Sequence, residues 1–201
     1  GPEKGPGAGT TVGMDWSPDG ATLALSIRGI RGNEPQNGLW LLDLASGETR
    51  QLTRGDHNDS APCWSPNGET IAFLSTRSEK PQIHVISARC GEAIRLTSIK
   101  QGAGSGPVWS PDGKHIAFTV SPYPEPRDPA KPYRIDRAGY RMDGVGYLDD
   151  VVQNIFVMEI ANHGGNIRAG EPRQLTDDRM MDTELQWSPD GQEILFGSMY
   201  K

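Results

Sequence analysis

Cysteine is nearly absent from this chain. Only Cys63 and Cys90 occur among 201 residues, too few for a disulfide framework. Cys63 precedes a tryptophan and reads as a small buried hydrophobe; a reduced, cytoplasmic setting is the default expectation. Long apolar runs are missing as well. No stretch approaches the roughly 18–20 residues that a membrane helix requires, so no membrane partner is expected. The opening segment, 1–13, is rich in Gly and Pro, lacks the apolar stretch of a signal peptide, and is expected to be flexible. Basic residues are in deficit, 20 against 26 acidic ones for a net charge of −6. Phosphate binding needs the opposite balance, which argues against nucleic acid as a partner. Helical periodicity of useful length is absent throughout. The hydrophobic share of 35% is small for one thick core and suits many thin, repeated layers.

Glycine (25) and proline (16) are plentiful. They stand at regular places between apolar runs, where turns need them, and this pattern excludes a disordered chain. One pentapeptide recurs four times: Trp16-Ser17-Pro18-Asp19-Gly20, Trp64-Ser65-Pro66-Asn67-Gly68, Trp109-Ser110-Pro111-Asp112-Gly113 and Trp187-Ser188-Pro189-Asp190-Gly191, at spacings of 48, 45 and 78 residues. The first two spacings match a propeller blade of roughly 40–50 residues, and the third is one blade with about 33 residues added. The turn chemistry is explicit. Serine suits position i of a type I turn, proline presets φ at i+1, Asp or Asn fits i+2, and glycine takes the left-handed position that follows.

After each turn the sequence predicts a short strand: Leu23 to Ile27, Ile71 to Leu74, Ile116 to Val120 and Ile194 to Phe196. A third strand follows at Leu39 to Leu44, Ile83 to Ile86 and Ile155 to Ile160. A fourth closes each full unit at Arg50-Gln51-Leu52-Thr53, Ile94-Arg95-Leu96-Thr97 and Arg173-Gln174-Leu175-Thr176. Loops at Ser46-Gly47-Glu48, Cys90-Gly91-Glu92 and Ala169-Gly170-Glu171 join strands three and four. Four antiparallel strands per unit make a propeller blade. The expected fold is therefore all-β, a partial propeller of about three and a half blades at 14–53, 61–97, 106–176 (with an insertion, 121–153) and a half blade at 184–201. Trp16, Trp64, Trp109 and Trp187 read as packing between neighbouring blades, where a large flat side chain buries most area.

The Trp-Ser-Pro-Asp-Gly and Arg-Gln-Leu-Thr signatures resemble TolB-like propeller repeats. Such repeats occur in the periplasmic TolB protein and in the N-terminal propeller of the prolyl oligopeptidase family of serine peptidases. The insertion, with Lys131-Pro132-Tyr133-Arg134-Ile135-Asp136-Arg137 and Tyr140-Arg141-Met142-Asp143-Gly144-Val145-Gly146-Tyr147, is similar to a segment of the acylaminoacyl-peptidase-like branch. That resemblance implies a parent serine peptidase whose catalysis resides in a separate α/β-hydrolase domain with a Gly-x-Ser-x-Gly elbow. This chain has no such elbow: Ser105 in Gly104-Ser105-Gly106 is flanked by Ala103 and Pro107. No catalytic residue is expected here. The implied function is a non-catalytic propeller piece that gates peptide substrates and docks a domain or subunit. Its implied partners are the missing hydrolase domain or a second copy completing the propeller. The alternative is a TolB-like protein-binding module with no peptidase partner, which would be periplasmic.

His57, His84, His115 and His163 lack metal-ligand spacing with Cys or with one another, so no metal or cofactor is expected. Two acidic clusters, Asp56-His57-Asn58-Asp59 and Asp177-Asp178 with Asp182, read as solvated loops on one rim. The insertion emerges on that same rim. Its Tyr133, Arg134, Arg137, Tyr140, Arg141 and Tyr147 have the aromatic and arginine composition of an interface or substrate contact.

Overall fold

The computed structural model describes residues 10–31, 34–121, 141–142, 146–147, 152–163, 166–177 and 180–199. Sheet one consists of β1 (Thr10–Trp16), β2 (Thr22–Arg31), β3 (Glu34–Asp43) and β4 (Thr49–Gln51), in that order. Sheet two repeats the order with β5 (Asp59–Trp64), β6 (Thr70–Ser75), β7 (Gln82–Ser87) and β8 (Ile94–Arg95). In sheet three, β9 (Val108–Trp109) and β10 (His115–Val120) lead to β13 (Asn154–His163), which pairs with both β14 (Asn166–Ala169) and β15 (Arg173–Gln174). Within the insertion, β11 (Arg141–Met142) pairs with β12 (Gly146–Tyr147). Sheet four is the pair β16 (Met181–Trp187) and β17 (Ile194–Met199). No helix occurs among the described residues. The fold is an all-β partial propeller.

Sheet three departs from the sequence expectation at its outer edge. The predicted third strand ends at Ile160 and turns at Ala169-Gly170-Glu171. Instead β13 continues to His163, which lies opposite Asn166. Gly164-Gly165 stands between these two in sequence, a hairpin signal. The Gly170 N–H still donates to the Glu159 carbonyl at 2.8 Å. Pro172 has no N–H to offer the ladder, which resumes at β15 opposite Phe156 and Val157.

The four turns are near-copies. In each, the glycine N–H donates to the serine carbonyl at 2.8–2.9 Å, and the glycine φ is 69–71°, a left-handed value that costs a residue with a Cβ about 1–2 kcal/mol. The Ser17, Ser110 and Ser188 hydroxyls each donate to the aspartate two residues on at 2.6 Å. The same hydroxyls accept the N–H of Thr22, His115 and Glu193. The serine hydroxyl, followed by a backbone N–H, holds the Asp19, Asp112 and Asp190 carboxyls below their ordinary value of 3.8. A folded-state value below the unfolded one adds stability above the unfolded value and loses it as pH falls through the folded one. Asn67 performs the same role without titrating, accepting from Ser65 at 2.7 Å. Asp112→Asn is therefore expected to make the acid limb of stability shallower below about pH 4, read as urea midpoints at pH 6 and pH 3. An unchanged limb would mean that the turn carboxylate does not couple to folding.

The core lies between sheets. Trp64, Ile71 and Phe73 of sheet two pack with Ala24, Leu39 and Leu41 of sheet one. Trp109, Ile116 and Phe118 of sheet three pack with Ala72, Ile83 and Val85 of sheet two. Sheet two is covered on both faces, which is why β6 and β7 read as nearly continuous buried runs. Each tryptophan lies opposite the first apolar residue of the next strand, Trp16 facing Leu23, Trp64 Ile71, Trp109 Ile116 and Trp187 Ile194. Trp64 and Trp109 are each 8% exposed. Trp187 is half-buried and donates its indole N–H to the Val108 carbonyl at 3.1 Å. Trp16 departs from the packing expected of it. It is 55% exposed, because no sheet among the described residues lies against its face.

Candidate functional site

The connections from strand two to three and from strand four to one share a rim, and in sequence the insertion is one of the former. Of the six candidate contact residues, Tyr133, Arg134, Arg137 and Tyr140 lie outside the described residues. Arg141 and Tyr147 are brought directly opposite each other in the β11–β12 ladder. The four tryptophans are not on this rim; they precede the turns at the other one.

The acidic residues of the rim overturn the reading as solvated loops at two positions. Asp59 opens β5 and Asp182 lies in β16, and both are fully buried. Asp56 and Asp177 are exposed, and Asp178 lies outside the described residues. The Asp59 carboxylate accepts the Ser75 hydroxyl at 2.6 Å and the Arg77 guanidinium at 2.9 Å. Arg77 also lies over the Phe73 ring, 5.3 Å from its centre. Asp182 accepts the Ser198 hydroxyl at 2.9 Å and the Thr176 hydroxyl at 2.7 Å. Each aspartate stands five residues before its tryptophan, and each serine stands eleven after it. That shared spacing is the signal by which the sequence could have disclosed them.

The group Ser75, Asp59 and His57 invites a catalytic reading, and its geometry refuses one. A nucleophilic serine needs a histidine to take its proton, with the carboxylate behind that histidine. Here the hydroxyl donates straight to the carboxylate, and His57 Nε2 is 3.8 Å from the other side of Asp59. Cys63 is no better placed. Burial pushes its thiol up to about 12, so the thiolate that attacks is scarce at neutral pH. Burial lowers the pKa of His84, whose Nδ1 lies 3.1 Å from the Gln82 carbonyl and whose ring packs against Phe73. Burial likewise raises the Asp15 carboxyl, which is partly offset by the Trp64 N–H it accepts at 2.7 Å. The Asp15 carboxylate thereby ties sheet one to sheet two, and His84 is held within sheet two. Between the β2–β3 hairpin and the 54–59 loop the rim holds a cleft of about 550 Å³, with Trp40, Gln51 and His57 in its walls, a volume within the usual range for small ligands.

Sheets of this order, closed by these turns and stacked through tryptophan, match a known family. The sequence profile of the TolB beta propeller domain fits residues 6–123. The chain belongs to that family. This TolB-type propeller is also related by sequence to the uncharacterized peptidase YuxL of Bacillus subtilis, with 28% identity over 196 residues that cover 91% of this chain and 28% of the peptidase. Solved structures share its fold, a TolB and an acylaminoacyl peptidase among them. TolB from Acinetobacter baumannii superimposes with a TM-score of 0.62 at 20% identity, over 94% of this chain and 37% of that one. The acylaminoacyl peptidase of Pyrococcus horikoshii gives a TM-score of 0.62 at 17% identity, over 94% of this chain and 28% of that one. The TolB-type propeller thus spans less than a third of the peptidase it matches by sequence, and its fold recurs in TolB and in an acylaminoacyl peptidase.

Proposed function

We propose that this propeller is the non-catalytic part of a serine peptidase of the prolyl oligopeptidase family, with the insertion rim facing an α/β-hydrolase domain and screening its peptide substrates. The supporting observation is the relation to the Bacillus peptidase. That relation runs over 91% of the chain, a wider span than the stretch 6–123 that fits the TolB beta propeller profile. The cleft lies between a strand two-to-three hairpin and a strand four-to-one loop of that rim, and the Arg141–Tyr147 pair belongs to a strand two-to-three connection in sequence. A propeller placed there acts by restricting access, contributing to which substrates reach the nucleophile and leaving the bond-breaking step to the other domain. A second reading, a TolB-like protein-binding module, draws on the equal TM-score of 0.62 to TolB.

One comparison tests both. The 201-residue chain and the product of its whole reading frame are each treated with a serine-directed fluorophosphonate and with an acyl-aminoacyl chromogenic peptide. The expected result is no labelling and no turnover by the chain, with both present in the whole product at a Gly-x-Ser-x-Gly serine. Labelling of the chain itself would end the non-catalytic reading. A whole product with no reactive serine and a secretion leader would transfer the assignment to the TolB-like module.

A further inference from the structure

Sheets one, two and three repeat one device at the insertion rim, and sheet one carries it incomplete. In each, a threonine after strand four accepts the N–H of the first core residue of strand three. The pairs are Leu39 with Thr53, Ile83 with Thr97 and Ile155 with Thr176, all at 2.9 Å. The threonine's own hydroxyl hydrogen then needs an oxygen. In sheet two Gln82 supplies it. Its Oε1 accepts the Thr97 hydroxyl at 2.7 Å and the Ile99 N–H at 3.0 Å, while its Nε2 donates to the Ile99 carbonyl at 2.8 Å. In sheet three the Asp182 carboxylate accepts the Thr176 hydroxyl at 2.7 Å, and Asn154 is fully buried at the position of Gln82. Sheet one has Gly38 at that position. Asp59, the counterpart of Asp182, is engaged by Ser75 and Arg77 instead. The Thr53 hydroxyl, 3% exposed, therefore donates to no acceptor among the described residues. What Gly38 leaves open belongs to the cleft of about 550 Å³. A Cβ there would lie 3.5 Å from Gln51 Nε2, 3.6 Å from the Thr53 carbonyl and 3.9 Å from Trp40 Nε1. Gln51 Nε2 spends one hydrogen on the Thr53 carbonyl at 3.0 Å and has a second. Donors and a carbonyl thus border one space, and a buried donor left unmet is costly.

We propose that the cleft over Gly38 binds a primary carboxamide, the side-chain group of glutamine or asparagine, in the place that Gln82 fills in sheet two. The internal repeat defines the ligand's chemistry. Gly38 stands opposite Ile27 in the register that sets Gln82 opposite Ser75, and each is followed by the residue whose N–H the threonine accepts. A bound carboxamide oxygen accepts the Thr53 hydroxyl, as Gln82 accepts that of Thr97, and takes a further hydrogen from Gln51 or Trp40. Its NH₂ group donates to the Thr53 carbonyl. The rest of the ligand lies along Trp40, Ile27 and Ile30, which also line the cleft. A carboxylate fits less well. It offers acceptors only, and the buried Asp59 carboxylate in the same wall opposes a second negative charge. Free glutamine and a glutamine side chain within a peptide share the required chemistry. The inference is independent of the proposed function and holds for a peptidase propeller or a binding module alike.

The test follows the indole N–H signals of the five tryptophans by nitrogen-15 NMR, with Trp40→Phe identifying that of Trp40. The chain is titrated with L-glutamine, with acetyl-Ala-Gln-Ala-methylamide, and with the Glu and Leu counterparts of that peptide. The Trp40 signal is expected to shift saturably with a carboxamide probe, at a Kd of about 1–10 mM, the scale for so few atoms. The Glu and Leu peptides are expected to bind at least about tenfold more weakly, because they leave polar groups of the site unpaired. Free glutamine binding at least as well as the peptide supports a site for the free amino acid; a shift by the peptide alone supports one for a peptide side chain. Gly38→Gln supplies the carboxamide from within and is expected to weaken binding at least about tenfold, with the other four indole signals in place to show an intact fold. Gly38→Ala, whose Cβ meets only ordinary contacts, is the second variant if the first fails to fold. No saturable shift with either carboxamide probe would overturn the proposal. So would equal binding of the Glu or Leu peptide, or undiminished binding by the folded Gly38 variant. Peptidase activity is read separately, so its absence leaves this outcome untouched.

Discussion

Replacing Trp109 with alanine is expected to cost about 3–5 kcal/mol of unfolding free energy, while Trp16→Ala in the same chain costs less than about 0.5 kcal/mol. The two residues occupy the same place in the repeat and differ in what covers them. Trp109 is 8% exposed and packs with Ala72, Ile83 and Val85 of sheet two. Sheets already held by their own ladders cannot collapse onto the space the ring leaves, so the cavity adds to the lost transfer energy. Trp109 Nε1 is buried without a hydrogen-bond partner among the described residues, so part of the residue's present contribution is offset by an unmet donor. Trp109→Phe removes that donor with a smaller loss of apolar area and is expected to cost well under half of the alanine change. Urea unfolding of the three variants against the parent checks this. Equal costs for Trp16→Ala and Trp109→Ala would show that the Trp16 face is covered in solution.

Local chemistry was the legible part of this molecule. The Ser-Pro-Asp-Gly turns could be read because every preference they use is satisfied within five residues: the proline φ, the left-handed glycine, the serine and aspartate bonds. The Arg-Gln-Leu-Thr signature was legible as a strand, yet its threonine has a second task. The Thr53, Thr97 and Thr176 hydroxyls accept the N–H groups of Leu39, Ile83 and Ile155, the first apolar residues of their third strands. That bond joins residues 14 to 21 apart in sequence, beyond the reach of turn rules. The exposure of Trp16 was illegible for a similar reason, because burial depends on which sheet lies opposite. On the rim, acidic residues near a turn look solvated in sequence. Only the ladder register, with Asp59 opposite Ser75 and Asp182 opposite Ser198, shows two of them to be interior.

Those two aspartates yield the second large effect. Asp59→Ala is expected to cost about 3–5 kcal/mol, because it strands a guanidinium and a hydroxyl that the carboxylate now satisfies. Arg77 reaches Asp59 at 2.9 Å and Ser75 at 3.2 Å, and its side chain is 21% exposed, so water cannot fully replace the lost partner. Asp182 is equally buried, but its side-chain partners among the described residues are the neutral Ser198 and Thr176 hydroxyls. Its replacement by alanine is expected to cost about 1–3 kcal/mol, the range for orphaned neutral donors. The Asp59 side chain contributes to sheet two, while its backbone carbonyl accepts the Ser26 hydroxyl of sheet one at 2.9 Å and survives the substitution. The loss should therefore appear as lower stability of a chain that still stacks its sheets. A double-mutant cycle with Arg77→Ala isolates the charge contribution. Coupling near zero, or equal costs at Asp59 and Asp182, would mean that the hydroxyl bonds carry the stability and the ion pair adds nothing.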